Sequence, residues 1–544
     1  MQTISRLDEG WAVRRRMVDD LLGELRERAR SVGDPREVRL VETHISWVLV
    51  GPEAYKIKKP VTLPFLDFSS FEKRQAACRT EVRINRRLAP RTYLGVVPVR
   101  RDPRGHFTFG PSGPVVDWAV QMVRLDEGRR ADVLLAQGML TRELVDTIAT
   151  GIARFHSHAE SGPHIAEYGK VDVIERNVMD NFDALGDKAS RFVSQKEAWE
   201  VQRWQLAFLR GHQDLFEQRI AAGAIRDGHG DLRLEHVFFG LDGDFEVIDG
   251  IEFDERYRYA DVCADVAFIA MDLARLGRVD LAERFLATYA RASNDFDHYR
   301  LVDFYSSYRA YVRAKIASII ENDESANADV RARAAADARR YLLLAVSAGQ
   351  RSLVRPTFVA VAGGIASGKS TLADRLGEEL SAPVIDADRT RKHMLHLAPT
   401  AHVDAAAWAG PYDPRFSERV YEEVLRRADA VLASGRPVIV DASFRTAAAR
   451  GAARALASAH NVPFRLLECV APPEVCRARL EQRDRETSVS DGRAEVFDAF
   501  RAGFEPITEL PPTELVRIDT SRDIEAAMEQ ARQQVETWPR RLVG

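Results

Sequence analysis

The stretch TFVAVAGGIASGKST, residues 357–371, determines how the second half of the chain is interpreted. It begins with a continuous apolar run of strand length, passes through a glycine turn and ends where a helix is expected to start. Glycines let backbone N–H groups surround phosphate oxygens, the lysine reaches the β- and γ-oxygens, and the hydroxyl ligates Mg²⁺. The sequence therefore predicts a P-loop that binds ATP and Mg²⁺, formed by Gly363, Gly364, Ala366, Ser367, Gly368, Lys369, Ser370 and Thr371.

The segments that follow the P-loop repeat the same alternation of strand and helix. Apolar runs of strand length occur in PVIDAD (383–388), RPVIVDAS (436–443) and PFRLLECV (463–470), each separated from the next by a helical pattern. Near-continuous apolar strands alternating with helices indicate a doubly wound α/β domain with a parallel sheet covered on both faces. Short strands and then helices precede residue 352 and predict an α+β part, so the predicted domains are 1–352 and 353–544.

Polar residues at the strand ends are candidates for catalysis. Asp441 ends the strand VIVD, where an acidic residue can hold the Mg²⁺ shell. Asp388 and Arg391 follow the strand PVI, where a carboxylate can accept a hydroxyl proton and a guanidinium can orient an anionic group. Helix capping by Asp386 or Asp388 is the alternative interpretation.

An arginine-rich segment, CRARLEQRDRE at 476–486, fits a lid that neutralises charge on a transferring phosphoryl group. Arg479 and Arg483 are its predicted nucleotide-binding residues, and a solvated helix face is the alternative for each. Together with GGIASGKST, DADRTRK and VIVDASF, this segment resembles the small P-loop kinase superfamily of zeta toxins, gluconate kinases and polynucleotide 5′-kinases. That resemblance implies that Asp388 is the substrate-hydroxyl base and Arg391 a substrate-side arginine.

The stretch HGDLRLEHVFF, residues 229–239, is a second phosphoryl-transfer signature. In kinase-type loops the Asp, here Asp231, accepts or orients the substrate hydroxyl, and a metal ligand follows five residues later. That ligand is usually Asn, whereas this chain has His236, and the strand FEVID supplies Asp249 as a further Mg²⁺ ligand. An imidazole is a softer ligand than an amide oxygen, so the predicted site either transfers phosphate slowly or binds nucleotide without turnover.

A lysine–glutamate pair is expected upstream of that loop. In AYKIKK (54–59), Lys58 is the first candidate for a lysine that contacts nucleotide phosphates, and Lys56 shares its strand face by the period of two. Glu81 on the next helix is its expected partner, and a surface salt bridge is the alternative. This half resembles the aminoglycoside-phosphotransferase-like branch of the protein-kinase fold, and the whole chain resembles bacterial proteins that fuse such a domain to a P-loop kinase. The resemblance implies a two-lobed fold in which Asp231 is the base and Asp249 a metal ligand.

Composition excludes several classes of function. The net charge of −4 argues against a general nucleic-acid or anionic-membrane binder. Four scattered cysteines do not form a disulfide framework and suit a reduced compartment. No apolar run is long enough to span a membrane and the first residues do not read as a signal peptide, so a cytoplasmic protein is expected.

The expected function is ATP- and Mg²⁺-dependent transfer of the γ-phosphate to a hydroxyl of a small molecule, either sugar, aminoglycoside-like or nucleotide-like. A polynucleotide 5′-hydroxyl kinase is an alternative that the acidic balance does not favour. A nucleotide-regulated binding protein with an inactive N-terminal pseudokinase is the alternative from another class.

Overall fold

The computed structural model describes residues 2–63, 66–323, 327–347, 355–401, 403, 408–483, 489, 492–533 and 535. Spatial contacts divide the chain into two compact units. The first unit comprises Met1–Leu144, His158–Ile174 and His212–Asp265; the second comprises Val145–Ser157, Glu175–Gly211 and Val266–Gly544. Each unit therefore collects segments that are separated in sequence, and the sequence-based boundary at residue 352 stays a prediction.

The first unit is built on an antiparallel sheet. Its strands are β1 (Arg39–Glu42), β2 (Ser46–Val50), β3 (Glu53–Lys58), β4 (Thr62–Leu63), β5 (Leu66–Asp67), β6 (Tyr93–Arg101), β7 (Phe107–Thr108), β8 (Val115–Val123), β9 (Ile225–Asp227), β10 (Val237–Phe239), β11 (Phe245–Val247) and β12 (Tyr259–Asp261). Six of them pair in the order β1-β2-β3-β8-β6-β7. The short pairs β4–β5, β10–β11 and β9–β12 are separate ribbons.

Helices dominate the chain up to residue 347. They are α1 (Gln2–Ser31), α2 (Phe71–Asn85), α3 (Ala131–Ala136), α4 (Arg142–His158), α5 (Pro163–Ala166), α6 (Val171–Leu185), α7 (Gln195–Gly211), α8 (Gln213–Ala221), α9 (Val262–Arg275), α10 (Val279–Ser293), α11 (Val302–Glu321) and α12 (Ala328–Ser347). None of the helices in the described ranges has an apolar stretch long enough to cross a membrane.

Strand β3 lies between two helices that pack on opposite faces of the sheet. Tyr55 and Ile57 belong to the apolar cluster that includes α1, whereas Ala54 belongs to the cluster that includes α2. Because side chains alternate along a strand, Lys56 and Lys58 share the α2 face with Ala54. The common face predicted for the two lysines is therefore present, and it is the face toward α2.

The second unit contains a five-stranded parallel sheet in the order β14-β15-β13-β16-β17, which confirms the predicted sheet type. All six residues of the central strand are buried, as expected for a sheet covered on both faces. The strands are β13 (Phe358–Gly363), β14 (Val384–Asp386), β15 (Val438–Asp441), β16 (Phe464–Val470) and β17 (Leu515–Asp519). The helices are α13 (Lys369–Leu380), α14 (Ala387–Met394), α15 (Pro414–Ala433), α16 (Ala447–Ala459), α17 (Pro473–Arg483), α18 (Ala494–Ala502) and α19 (Ile524–Arg532).

Buried arginines join α10 and α11 to this sheet within the second unit. Arg436, just before β15, lies 2.7 Å from Glu283 of α10 and 2.9 Å from Asp303 of α11. Arg427 of α15 donates to Asn294 Oδ1 at 2.8 Å and to the Thr390 hydroxyl of α14 at 3.1 Å. Helices that precede the P-loop in sequence are thus part of the packing of the P-loop sheet.

Candidate active sites

The loop between β13 and α13 has a backbone that its glycines make possible. The φ angle is +143° at Gly363 and +86° at Gly368, a region that residues with a side chain rarely adopt. A Cβ atom at Gly363 would lie 2.6 Å from both the Cys469 carbonyl oxygen and the Ser367 hydroxyl oxygen. Such a glycine-dependent loop at the start of a helix is the arrangement that binds phosphate groups.

Lys369, Ser370 and Asp441 meet at the start of α13. The Lys369 ammonium donates to the Gly364 carbonyl oxygen at 2.8 Å and so lies across the loop. Strand β15 pairs with β13 so that Asp441 is opposite Val361, and the Ser370 hydroxyl hydrogen-bonds to the Asp441 carboxylate. Burial raises the pKa of Asp441 to about 6, although the Lys369 charge and the Ser370 hydrogen bond act in the opposite direction.

Ser370 and Asp441 fit a magnesium ion whose other ligands are the phosphates of a bound nucleotide and water. They offer two oxygen donors, the type of ligand that Mg²⁺ takes in proteins. Across the described ranges, no group of three or more His, Cys, Asp or Glu side chains is arranged for a metal ion. Mg²⁺ in kinase sites is commonly bound by one or two protein groups, with waters and substrate phosphates as its other ligands.

Asp386 and Asp388 have different surroundings although they are two residues apart. Asp386 caps α14 by accepting the Arg389 backbone N–H at 2.9 Å. Burial, Asp441 and Asp388 together raise the pKa of Asp386 to about 7. Asp388 is about one-third exposed, lines the same cleft as Lys369 and lies 3.9 Å from Arg391 Nε. Capping therefore gives Asp386 a structural role although it also lines the cleft, and Asp388 is the lining carboxylate next to Arg391.

The lining of this cleft also contains residues that sequence reasoning missed. Trp408, Tyr412, Phe500 and Arg445 line it together with the P-loop residues. Arg445 could have been found, because it lies four residues after Asp441 on the loop that leaves β15. The three aromatic residues carry no spacing signal, since Phe500 belongs to α18 and is distant in sequence from the other two.

The structure describes the side chain of only one of the two arginines predicted to belong to a lid, Arg479. The Arg479 guanidinium donates to the Ala366 carbonyl oxygen of the P-loop at 3.2 Å and also to the Thr520 carbonyl oxygen. Arg479 therefore contacts the P-loop backbone. Arg483 ends α17, but its side chain lies outside the described part of the chain, so its role in a lid stays a prediction.

A cluster of charged side chains lies on the α2 face of the sheet in the first unit. Lys56 Nζ lies 2.9 Å from Glu81 Oε1 and 2.5 Å from Asp249 Oδ1. Lys58 Nζ lies 2.5 Å from Glu81 Oε2 and also pairs with Glu252, and the side chains of Lys58 and Glu81 are fully buried. Sequence reasoning named Lys58 first and left Lys56 open; Lys56 is the lysine that bridges Glu81 to Asp249. Glu252 was not identified from the sequence.

The charged groups of this cluster pair with one another, two lysines with three carboxylates. The Lys56 ammonium, against the effect of burial, lowers the pKa of Asp249 well below its usual range. Burial opposes the charge on Lys56, but Asp249 and Glu81 raise its pKa well above the ordinary lysine value. Asp249 also has a φ of +67°, a strained backbone for a residue with a side chain. The cluster is therefore a set of ionised, mutually paired groups.

The loop that begins at His229 is held by the first turn of α9. The carboxylate of Asp265 accepts the backbone N–H groups of His229 at 2.7 Å and Gly230 at 2.9 Å. Asp231 follows on this loop, and Arg233 Nε lies 3.2 Å from its carboxylate. Asp265 is thus a structural residue of the loop, and the role of Asp231 as a base stays a prediction.

His236 is already engaged by the protein. Its Nδ1–H donates to the Asp231 carbonyl oxygen at 2.8 Å, so Nε2 accepts from Arg233 Nη2 at 3.3 Å. Burial and the Arg233 charge lower the pKa of His236, which keeps the ring neutral. Both ring nitrogens are occupied in this arrangement, and the lone pair that a metal ion needs faces Arg233. The role of His236 as a metal ligand therefore stays a prediction that this geometry does not support.

The fold and the loop at 363–371 define a P-loop nucleotide-binding domain in the second half of the chain, and a family model described as an AAA domain matches residues 358–507. The protein Rv2004c of Mycobacterium tuberculosis (strain ATCC 25618 / H37Rv) is 35% identical over 475 residues, which cover 87% of this chain and 91% of the relative. The chain belongs to the family of this mycobacterial protein.

Two solved structures are similar over about a third of the chain. A gluconokinase from Sinorhizobium meliloti is 18% identical, with 33% of this chain and 95% of that chain covered and a TM-score of 0.24. The Mycobacterium tuberculosis APS kinase, in complex with AMPPNP and APS, is 25% identical, with 32% and 95% covered and a TM-score of 0.23.

Proposed function

We propose that the cleft of the second unit transfers the γ-phosphate of ATP to a hydroxyl of a small molecule. The observation that supports the proposal is that one cleft is lined both by Lys369, Ser370 and Asp441 and by the Asp388–Arg391 pair. A phosphate-binding group and a carboxylate that faces the same space are the two components that phosphoryl transfer to a hydroxyl requires.

Each of these residues has a separate role in the proposed phosphoryl transfer. Lys369 exchanges its bond to the Gly364 carbonyl for one to the β- and γ-phosphates. Ser370 and Asp441 would hold a Mg²⁺ ion, which would supply charge neutralisation at the phosphates. Asp388 accepts the proton of the acceptor hydroxyl while the new O–P bond forms and the bond to the ADP oxygen breaks. Arg391 orients the acceptor.

The first unit supports a second and smaller proposal, that of a kinase-like domain that binds nucleotide. The Lys56–Glu81–Asp249 connection supports it, because kinases place a lysine between a helix glutamate and a metal-binding aspartate. The engagement of both His236 ring nitrogens favours a nucleotide-responsive binding domain without turnover over a second active kinase.

A transfer screen with γ-labelled ATP and Mg²⁺ tests both proposals in the full chain. The acceptors are sugars, aminoglycosides, nucleosides and 5′-hydroxyl oligonucleotides, and the variants are Lys369→Ala and Asp231→Asn. Lys196→Ala, a substitution of a lysine whose side chain is 82% exposed, is the matched control. We expect Lys369→Ala to abolish labelling of the preferred acceptor. Labelling that survives Lys369→Ala and disappears in Asp231→Asn would reverse the assignment of the two units.

A further inference from the structure

Two arginines face the proposed acceptor side of the P-loop cleft without a close carboxylate partner. Arg391 is 6% exposed; its Nη1 donates to the Pro411 carbonyl oxygen at 2.8 Å and lies 3.4 Å from the Ser417 hydroxyl. Its Nε is buried and donates to no acceptor in the described ranges, and Asp388 is 3.9 Å away. Arg391 therefore has hydrogen-bonding capacity that the protein leaves unused.

Arg445 is the second of these arginines. Within the part of the chain that the structure describes, its guanidinium has no ion-pair partner. Other arginines of this unit differ: Arg436 pairs with two carboxylates, and Arg450 pairs with Glu509. Because most buried or half-buried guanidinium groups in proteins are paired, a cation without a partner in a cleft indicates an anion that comes from outside.

An aromatic wall, formed by Trp408, Tyr412 and Phe500, holds both guanidinium groups in place. The Arg391 guanidinium carbon lies 4.7 Å from the centre of the Tyr412 ring, and that of Arg445 lies 4.3 Å from the Trp408 ring. Phe500 joins the two, with its ring centre 4.4 Å from that of Trp408 and 6.1 Å from that of Tyr412. A stacked guanidinium loses little freedom on binding and presents its planar fork to carboxylate or phosphate.

Gly503 leaves space for the Trp408 ring of this wall. A Cβ atom at Gly503 would lie 3.1 Å from Trp408 Cζ2 and 3.3 Å from Cη2, so the absence of a side chain lets the indole pack there. Trp408 itself has a φ of +63°, a conformation that is unusual outside glycine. A strained tryptophan that is packed against a glycine and stacked under an arginine is a positioned group rather than a surface residue.

The acids of the cleft do not cancel this positive charge. Asp386 accepts the backbone N–H that begins α14, and Asp441 is bonded to Ser370 on the P-loop side. Asp388 is the carboxylate next to Arg391, and their 3.9 Å separation is too long for a hydrogen bond. Asp388 is therefore available for a hydroxyl proton, and Arg391 and Arg445 are available for an anion, in a cleft whose lining also includes Arg493.

We propose that the acceptor carries an oxyanion, a phosphate or a carboxylate, that is bound by Arg391 and Arg445 in front of the aromatic wall. This inference rests on the proposed function and narrows it, because a neutral sugar or a cationic aminoglycoside leaves Arg445 without an anionic partner and Arg391 with only the distant Asp388. Discrimination follows from the cost of burying an unpaired charge when the wrong acceptor is bound.

Binding of inorganic phosphate tests the anion site without any reaction. The full-length protein is saturated with AMPPNP and Mg²⁺ to fill the P-loop, and phosphate is then titrated by calorimetry. We expect one phosphate site, weakened at least about tenfold in Arg391→Gln and in Arg445→Gln. Arg454→Gln is the control, since Arg454 lies on α16 and pairs with Glu514 at 2.6 Å. The proposal is overturned if wild-type protein binds no phosphate, or if both cleft variants bind it like the control.

Matched acceptors test the consequence for transfer and identify the source of the anion. Gluconate is compared with glucitol, and adenosine 3′-phosphate with adenosine, each pair differing in the anionic group; kanamycin represents cations. We expect the anionic member of one pair to be labelled at least about tenfold faster, and Arg445→Gln to reduce that preference. Equal labelling of a neutral or cationic acceptor contradicts the inference. If nothing is labelled while phosphate binding still depends on Arg391 and Arg445, the anion site stands and the proposed phosphotransfer fails.

Discussion

The P-loop cleft and the cluster around Glu81 both contain lysine and carboxylates, but their charges are arranged in opposite ways. In the cleft, burial raises the pKa of Asp386 and of Asp441, and two arginines lack close carboxylate partners. In the cluster, Lys56 lowers the pKa of Asp249, and each lysine contacts two carboxylates. A site prepared for ligands thus keeps some of its charge uncompensated, whereas a cluster of paired charges stabilises its own fold.

The largest expected effect is at Asp388, the lining carboxylate next to Arg391. Asp388→Asn removes the proton acceptor while preserving size and polarity, so transfer should fall about a thousandfold. AMPPNP binding, measured by calorimetry, should stay unchanged because Asp388 does not belong to the P-loop. Asp498→Asn, at an exposed carboxylate of α18 that pairs with Arg477, is the control. Transfer that survives in Asp388→Asn would move the role of base away from this residue.

The next effect tests whether the cluster stabilises its own unit. Glu81→Ala leaves Lys58 buried without one of its two carboxylates and Lys56 with only Asp249. Loss of one partner of a buried pair costs about 3 kcal/mol, which lowers an unfolding midpoint by roughly 6 °C or more. Thermal unfolding of Glu81→Ala and of the exposed control Arg79→Ala on the same helix measures this. Identical midpoints in the two variants would show that the cluster is not structural.

The pH dependence of stability also distinguishes the two sites. Folding raises the pKa of Asp386 to about 7. Between the pKa of Asp386 in the unfolded chain and about 7, the folded state therefore binds one more proton than the unfolded state. The stabilisation is complete below the unfolded pKa and is lost as pH rises to about 7, by at most roughly 1.4 kcal/mol per pH unit. Asp386→Asn retains a capping side chain and should lack this slope. Asp249, whose pKa is lowered, contributes in the opposite sense and loses stability as pH falls.

Unfolding midpoints at several pH values, without nucleotide or Mg²⁺, check this prediction. Asp413→Asn is the control because Asp413 caps α15 through the Arg415 and Phe416 backbone N–H groups. Wild-type protein should lose stability relative to Asp386→Asn as pH rises, and parallel curves for the two proteins would contradict the assignment.

The smallest effect is expected at the loop of the first unit. Asp231→Asn should change the transfer rate of the full chain less than about twofold, because His236 already uses both ring nitrogens within the protein. The measurement is the labelled-ATP assay with the preferred acceptor. A fall comparable to that of Asp388→Asn would show that the first unit is an active kinase and that its compensated charges also serve catalysis.

Local pattern predicted the features that depend on neighbouring residues. The glycine positions of the P-loop, the apolar strands of the parallel sheet and the common face of Lys56 and Lys58 all follow from spacing within one element. The distinction between Asp386 and Asp388 did not follow, because it depends on which carboxylate reaches a backbone N–H at the start of α14.

Features made by distant segments could not be predicted in this way. Glu252 reaches Lys58 across 194 residues, and the stack of Trp408 on Phe500 joins the segment before α15 to α18. Such pairs depend on how elements pack, and single-sequence periodicity contains no information about it. Arg445 is intermediate: its place after Asp441 is visible in the sequence, but its stacking on Trp408 is not.

The pairing of Arg436 with Glu283 and Asp303 has a practical consequence for anyone who shortens this protein. A truncated gene that begins at residue 353 would retain the arginine and lose both carboxylates, which exposes a cationic and apolar seam on the P-loop fragment. Such a fragment is expected to aggregate or to require partner helices supplied on a second polypeptide. Recovery of one soluble complex after co-expression of the two pieces would show that the protein can be split at this interface.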